Sequence, residues 1–202
     1  MVYLGRINLR TPILEEDVRG LKVGDVIYVT GTLLTARDAA HKRMMQYLQE
    51  GRKLPFTFDG LPLYHCGPLV KKTDGDWTAL AAGPTTSMRM EPFEEVLIRK
   101  LGVRLVIGKG GMGEKTAKAM KESGAVYGAF TGGAAVLAAK HIKKVNGVQW
   151  LDLGMPEAVW SFEVDNFGPL IICMDSNAHN LYAKVRTDAE NIKAKVVDNF
   201  KP

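Results

Sequence analysis

Only two cysteines, Cys66 and Cys173, occur in 202 residues, and they stand far apart. Two thiols cannot by themselves complete a four-cysteine zinc site or hold an iron–sulfur cluster. A single disulfide is formally open to them, but nothing else in the chain points to an oxidising compartment. No apolar run approaches the ~20 residues needed to cross a bilayer, and Met1–Arg6 carries no apolar leader core. The expectation is therefore a cytoplasmic protein with free thiols and no membrane contact. The net charge of +5 is not concentrated in any block, since Lys71-Lys72 and Lys143-Lys144 are only pairs. Nucleic-acid binding, which requires a clustered basic face or a recognisable module, is not expected. No internal repeat, low-complexity tract, acid–base pair, nucleophile motif or metal-ligand spacing stands out, so no metal is assigned to this chain.

What is present fits one α/β domain over residues 1–202, with 187–202 as a docked helix or tail. Residues 5–10 alternate like a strand before the Thr11-Pro12 turn, and Val26–Thr30 is a β-rich run of a buried strand. Arg37–Gln49 has helical spacing, and Gly51 stops it. Leu61–Cys66 reads as a strand. Leu69–Lys72 and Trp77–Ala81 flank a glycine-containing turn and predict a hairpin. Thr86–Leu101 predicts a separate turn followed by a helix starting near Glu91, because Pro92 suits a first helical turn. The clearest unit is βαβα: Arg104–Ile107, a glycine loop, Glu114–Ser123, Ala125–Phe130, a second loop, and a helix over Ala134–Lys143. Its two strands should lie parallel. Residues 158–174 return to β around Asn166-Phe167-Gly168-Pro169.

Three motifs carry cations or hydroxyls beside glycine-marked turns or helix starts. They are Thr35-Ala36-Arg37-Asp38-Ala39-Ala40-His41, Gly83-Pro84-Thr85-Thr86-Ser87-Met88-Arg89-Met90 and Gly108-Lys109-Gly110-Gly111-Met112-Gly113. The last matches G-x-G-x-x-G between a strand and a helix. A dinucleotide site would also want an acid at the end of the next strand, where Phe130-Thr131-Gly132-Gly133 has none. What survives is an anion site of helix N-terminal amides with Lys109, set against a plain βα turn bearing a solvated lysine. Thr85 and Arg89 share a helical face, as do Arg37 and His41, with Asp38 able to pair with either. A guanidinium beside a hydroxyl suits a carboxylate, although a capping threonine with a surface arginine is the plainer alternative. His65 and Cys66, isolated on a strand, are more often packing. The combination points to a small dicarboxylate and to half of an active site.

Taken together and in order, these residues resemble the β-subunit family of class I, iron–sulfur-dependent fumarases and L-tartrate dehydratases. The resemblance also rests on Gly24–Thr32, Tyr64-His65-Cys66-Gly67-Pro68, Thr131–Ala134 and Leu153-Gly154-Met155-Pro156-Glu157, and it covers residues 10–183. It implies a single swivelling β/β/α domain with a mixed sheet. It also implies a hydro-lyase that reversibly hydrates fumarate to L-malate, with L(+)-tartrate dehydration as the alternative. The runs Leu54–Gly60 and Tyr64–Pro68 look more like those of stand-alone fumarase β chains, which favours fumarate. By the resemblance, a [4Fe–4S] cluster is held by three cysteines of a partner α subunit, and this chain alone is inactive. Arg37, Arg89 and Lys109 would bind substrate carboxylates, and Thr85 is a candidate base. Supporting roles fall to Asp38, His41, His65, Gly110 and Gly111. A non-catalytic dicarboxylate-binding or assembly subunit is the competing class.

Overall fold

A computed structural model describes residues 6–198. The strands are β1 (Arg6–Arg10), β2 (Val26–Thr35), β3 (Leu63–Tyr64), β4 (Leu69–Thr73), β5 (Asp76–Ala81), β6 (Leu105–Gly108), β7 (Val126–Ala129), β8 (Ile142–Gln149) and β9 (Val159–Met174). The helices are α1 (Glu15–Arg19), α2 (Asp38–Gln49), α3 (Glu91–Leu101), α4 (Glu114–Ser123), α5 (Ala135–Lys140) and α6 (Leu181–Asp198), with a 3₁₀ turn over Ser87–Met90. The outcome is a mixed α/β fold.

Seven strands form one sheet in the order β1-β2-β3-β6-β7-β9-β8, and β4 with β5 forms a separate hairpin. Strands β1, β2, β3, β6 and β7 pair in parallel, whereas β9 runs antiparallel to β2, β7 and β8. The pairings β2–β3–β6–β7–β9 return to β2, so the long, bulged β9 closes the sheet on itself. The apolar runs of the central strands follow from burial on both faces. Leu105 and Ile107 point into one core with Tyr64, Phe162 and Phe167, while Val106 points into a second core with Met44, Leu97 and Met120 from the helices.

Two elements differ from the sequence reading. The helix expected over Ala134–Lys143 ends at Lys140, and Ile142–Gln149 is a strand paired with β9. Ile142, Val145 and Val148 pack against the inner core from that strand, a non-local gain that local helical spacing does not register. Residues 158–174 form one strand rather than two segments about a turn, with Asn166 at φ +50° where the strand is irregular. Segment 187–198 lies within α6, and 199–202 fall outside the described residues.

Candidate active site

The three motifs meet at the C-terminal ends of the parallel strands. β2 delivers Arg37 and α2, β3 delivers His65, and β6 delivers Lys109. Backbone hydrogen bonds then sew the Thr85 segment between them. Thr85 N–H donates to His65 O (2.8 Å), Lys109 N–H to Thr85 O (3.2 Å), and Ser87 N–H to Lys109 O (2.9 Å). An irregular connection is thus held nearly as tightly as a strand.

On the solvent side, Arg89 Nη2 donates to Thr85 Oγ1 (2.7 Å) and to Asp38 Oδ2 (3.0 Å). Arg37 approaches Asp38 Oδ2 through Nη2 at 3.8 Å and Glu157 Oε1 through Nε at 3.4 Å. The Arg37 Nε is buried and has no hydrogen-bond partner among the described residues. Glu157 Oε2 also accepts from Ala39 N–H at the start of α2 (2.9 Å), so the Leu-Gly-Met-Pro-Glu motif orients Arg37. Arg37 lies over Gly67, where a Cβ would sit 2.7 Å from its Cδ. Lys109 is exposed beside this group, and its side chain runs past Gly132. Two arginines face two carboxylates and remain partly exposed, Arg37 at 25% and Arg89 at 45%.

The amides expected to hold an anion at the start of α4 are already taken. Glu91 accepts from Gly113 N–H (2.7 Å), Thr116 N–H (3.3 Å) and Thr116 O–H (2.7 Å). A carboxylate supplied by α3 occupies the positive end of α4, so the glycine loop contributes Lys109 but not that helix terminus. Gly110 and Gly111 take positive φ (+80° and +68°), and the Tyr182 ring occupies the space a Gly111 Cβ would need.

His41 lies elsewhere than its spacing from Arg37 suggested, whereas His65 is packed as an isolated strand residue more often is. Arg37 is the N-cap residue, extended at φ −128° and ψ −163°, so its side chain leaves the helix face that carries His41. Both histidines are completely buried, together with Glu94, Ser87 and Thr35. His65 Nε2 meets Glu94 Oε2 at 3.1 Å, and Nδ1 meets Ser87 Oγ at 2.9 Å, which in turn meets Tyr127 OH at 3.0 Å. His41 Nδ1 donates to Arg37 O (2.7 Å), leaving Nε2 3.4 Å from Glu94 Oε2 and Glu94 Oε1 without a partner. That contact is attractive only with a proton on one of the two groups. Burial would raise the Glu94 carboxyl, but His65 and His41 outweigh it and hold the group at about 2. Burial pushes His65 down, opposed by Glu94, so a neutral ring donates through Nε2 and accepts from Ser87. Burial also raises the Tyr127 phenol, which stays protonated and donates to Ser87. The three ligand atoms of His41, His65 and Glu94 lie within 4.8 Å of one another, and a hydrogen bond already links His65 to Glu94.

Glu94, Ser87, Tyr127, Glu91 and Glu157 were not picked out by the sequence. Glu157 and Ser87 carried a signal only as parts of recognised motifs, without a role. The cysteines are free and buried, and burial raises both thiols. Two protonated thiols do not make a three-thiolate cluster site, so the residues of this chain do not fit an iron–sulfur group. Several clefts lie away from these residues. One of about 530 Å³ is lined by Leu48, Phe56, Phe58 and Lys100. The arginine–threonine group instead sits on open surface.

The family model described as Fumarase C-terminus matches residues 3–185. The chain belongs to that family. It is 45% identical over 176 residues to L(+)-tartrate dehydratase subunit beta of Escherichia coli (strain K12), covering 87% of this chain and 86% of the relative. A putative L(+)-tartrate dehydratase subunit beta of Methanocaldococcus jannaschii is 45% identical over 174 residues, covering 86% and 89%. A putative fumarate hydratase class I of Geobacillus stearothermophilus is 44% identical over 180 residues, which are 89% of this chain but 34% of that protein. The fumarase-family chain is thus similar both to separate β subunits and to one part of a longer polypeptide. Among its described residues no helix is long and apolar enough to cross a membrane.

Proposed function

We propose that this chain is the carboxylate-binding subunit of a hydro-lyase acting on a four-carbon dicarboxylate, completed by an α-type subunit. The carrying observation is the solvent-facing Arg89–Thr85–Asp38 group, with Arg37 and Lys109 beside it. Arg89 and Arg37 offer charged donors to carboxylate oxygens, and the ligand would compete with Asp38 for the same guanidinium protons. Lys109 adds a third cation, and its backbone fixes the carbonyl of Thr85. Thr85 Oγ1 already accepts from Arg89, so a positive charge stands next to any oxyanion that forms there. That placement supports Thr85 as the residue handling the proton. A [4Fe–4S] cluster on the α-type subunit would supply Lewis-acid chemistry to the substrate hydroxyl.

L(+)-tartrate is the first substrate to test. The sequence pattern around Leu54–Gly60 favoured fumarate, but the separate relatives of matching length carry tartrate dehydratase names. Fumarate is the second reading, supported by the longer relative. The test is anaerobic co-expression with the cognate α-type chain and assays of both dehydration of L(+)-tartrate and hydration of fumarate. Activity only in the mixture is expected, and the better substrate names the enzyme. Activity in this chain alone, or an intact complex inert toward both, would overturn the proposal.

A further inference from the structure

If this subunit supplies half of an active site, one of its faces must receive the other half, and the structure marks a candidate. The hairpin β4–β5 and the short helix α5 stand side by side next to the Thr85 segment. Ala82 N–H donates to Ala135 O (2.9 Å), and the Ala135 Cβ lies 3.0 Å from where a Gly83 Cβ would be. The outward positions of these elements are apolar. Leu69 is 55% exposed, Leu80 46%, Val136 62% and Leu137 46%. Alternation along β5 buries Trp77, Ala79 and Ala81 in part and turns Leu80 outward, so Leu80 is surplus to the core beneath. Four large aliphatic side chains on neighbouring elements are more than isolated surface residues require. The Thr131-Gly132-Gly133 loop joins this face to Lys109, and Gly83-Pro84 joins it to Thr85.

We propose that the face formed by Leu69, Leu80, Val136 and Leu137 is the docking surface for the cluster-bearing α-type subunit, a reading that rests on the function proposed above. Three observations single out this occupant. The face is continuous with a half-site whose missing groups must approach from an adjoining side. The longer relative devotes about one third of its length to this domain, so the remainder is joined to an equivalent domain within one chain. The surrounding charges also suit an acidic partner. Lys71, Lys72 and Lys140 are exposed on the same elements, with Asp74 and Asp76 confined to the hairpin tip. An apolar centre with a charged rim is the usual anatomy of a protein interface.

The test compares two double variants, each co-purified with the α-type chain. L80E/V136E alters the proposed face, and V185E/I192E alters exposed apolar positions on α6. All four side chains are exposed, so both variants should retain the melting temperature of the isolated chain. The expected result is at least 100-fold weaker association for L80E/V136E and unchanged association for V185E/I192E. In the unaltered complex, hydrogen exchange should slow in peptides covering 69–82 and 131–140. An unimpaired L80E/V136E complex without that protection would overturn the surface and leave the proposed function standing. No complex with the unaltered chain would overturn both. A self-associating unaltered chain that L80E/V136E renders monomeric would assign the face to a second copy and also overturn the proposal.

Discussion

Two polar clusters lie back to back in this domain, built from neighbouring residues of the same motifs. Arg37, Asp38, Thr85 and Arg89 face solvent, whereas His41, His65, Ser87 and Glu94 are sealed beneath them. The outer set is held together by partly exposed ion pairs. The inner set is closed to solvent. It joins Arg37 O to His41, which abuts Glu94 of α3, and ties the Thr85–Arg89 turn to the end of β3 through Ser87 and His65. On the proposed function, the contrast separates residues offered to a ligand from residues that keep those groups in register.

The largest effect should come from breaking the inner set. Glu94→Ala leaves the buried His65 Nε2–H without its acceptor and should cost about 3 kcal/mol of stability. Chemical denaturation checks this, and an unaffected midpoint would mean that the cluster is not formed. The same set predicts a pH dependence of stability. The folded-state pKa of His65 lies below its ordinary 6.5, and that of Glu94 lies below 4.5 at about 2. Both are depressed, so stability is full above pH 6.5. It declines first as His65 binds protons in the unfolded chain, then between about 4.5 and 2 through Glu94. Glu94→Gln should abolish the lower part of that decline.

Breaking the outer set should leave the fold and remove the function. Arg89→Ala in the reconstituted enzyme should lower kcat/KM roughly 10- to 100-fold, the loss of about 1.5–3 kcal/mol of charged hydrogen bonding. Lys109→Ala should fall in the same range, while both isolated chains melt normally. Normal kinetics in both variants would move these residues into the structural group. Thr85→Ala sharpens the division within the outer set. A fall in kcat at steady KM is expected if Thr85 handles a proton, and a change confined to KM would reduce it to a binding contact. The smallest effect belongs to Asp38→Asn, which should alter stability by about 0–1 kcal/mol because its ion pairs are partly exposed.

Much of this was legible in the chain, unevenly. The parallel pair β6–β7 with its α4 crossover follows from local signals, and so do the β4–β5 hairpin and the Pro92 helix start. Thr85 and Arg89, expected to share a helical face, do meet, although Thr85 precedes the 3₁₀ turn that carries Arg89. The same spacing failed for Arg37 and His41, because Arg37 is extended at the helix cap and does not share the helical face. The glycine loop looked open only because its occupant, Glu91, comes from 22 residues upstream. Glu94 gave no signal, since one glutamate on an amphipathic helix is indistinguishable from a solvated one until its neighbours are known.

By itself the sequence determined the family, the strands buried on both faces, and the stock of arginine, threonine and lysine at three turns. These depend on residue type and short-range periodicity, which a linear pattern records. Only the tertiary structure decided which polar residue of each motif faces water and which is buried. That sorting depends on β2, β3 and β6 lying side by side and on α3 delivering Glu91 and Glu94 across them, and such non-local packing is what period-2 and period-3.6 patterns leave open.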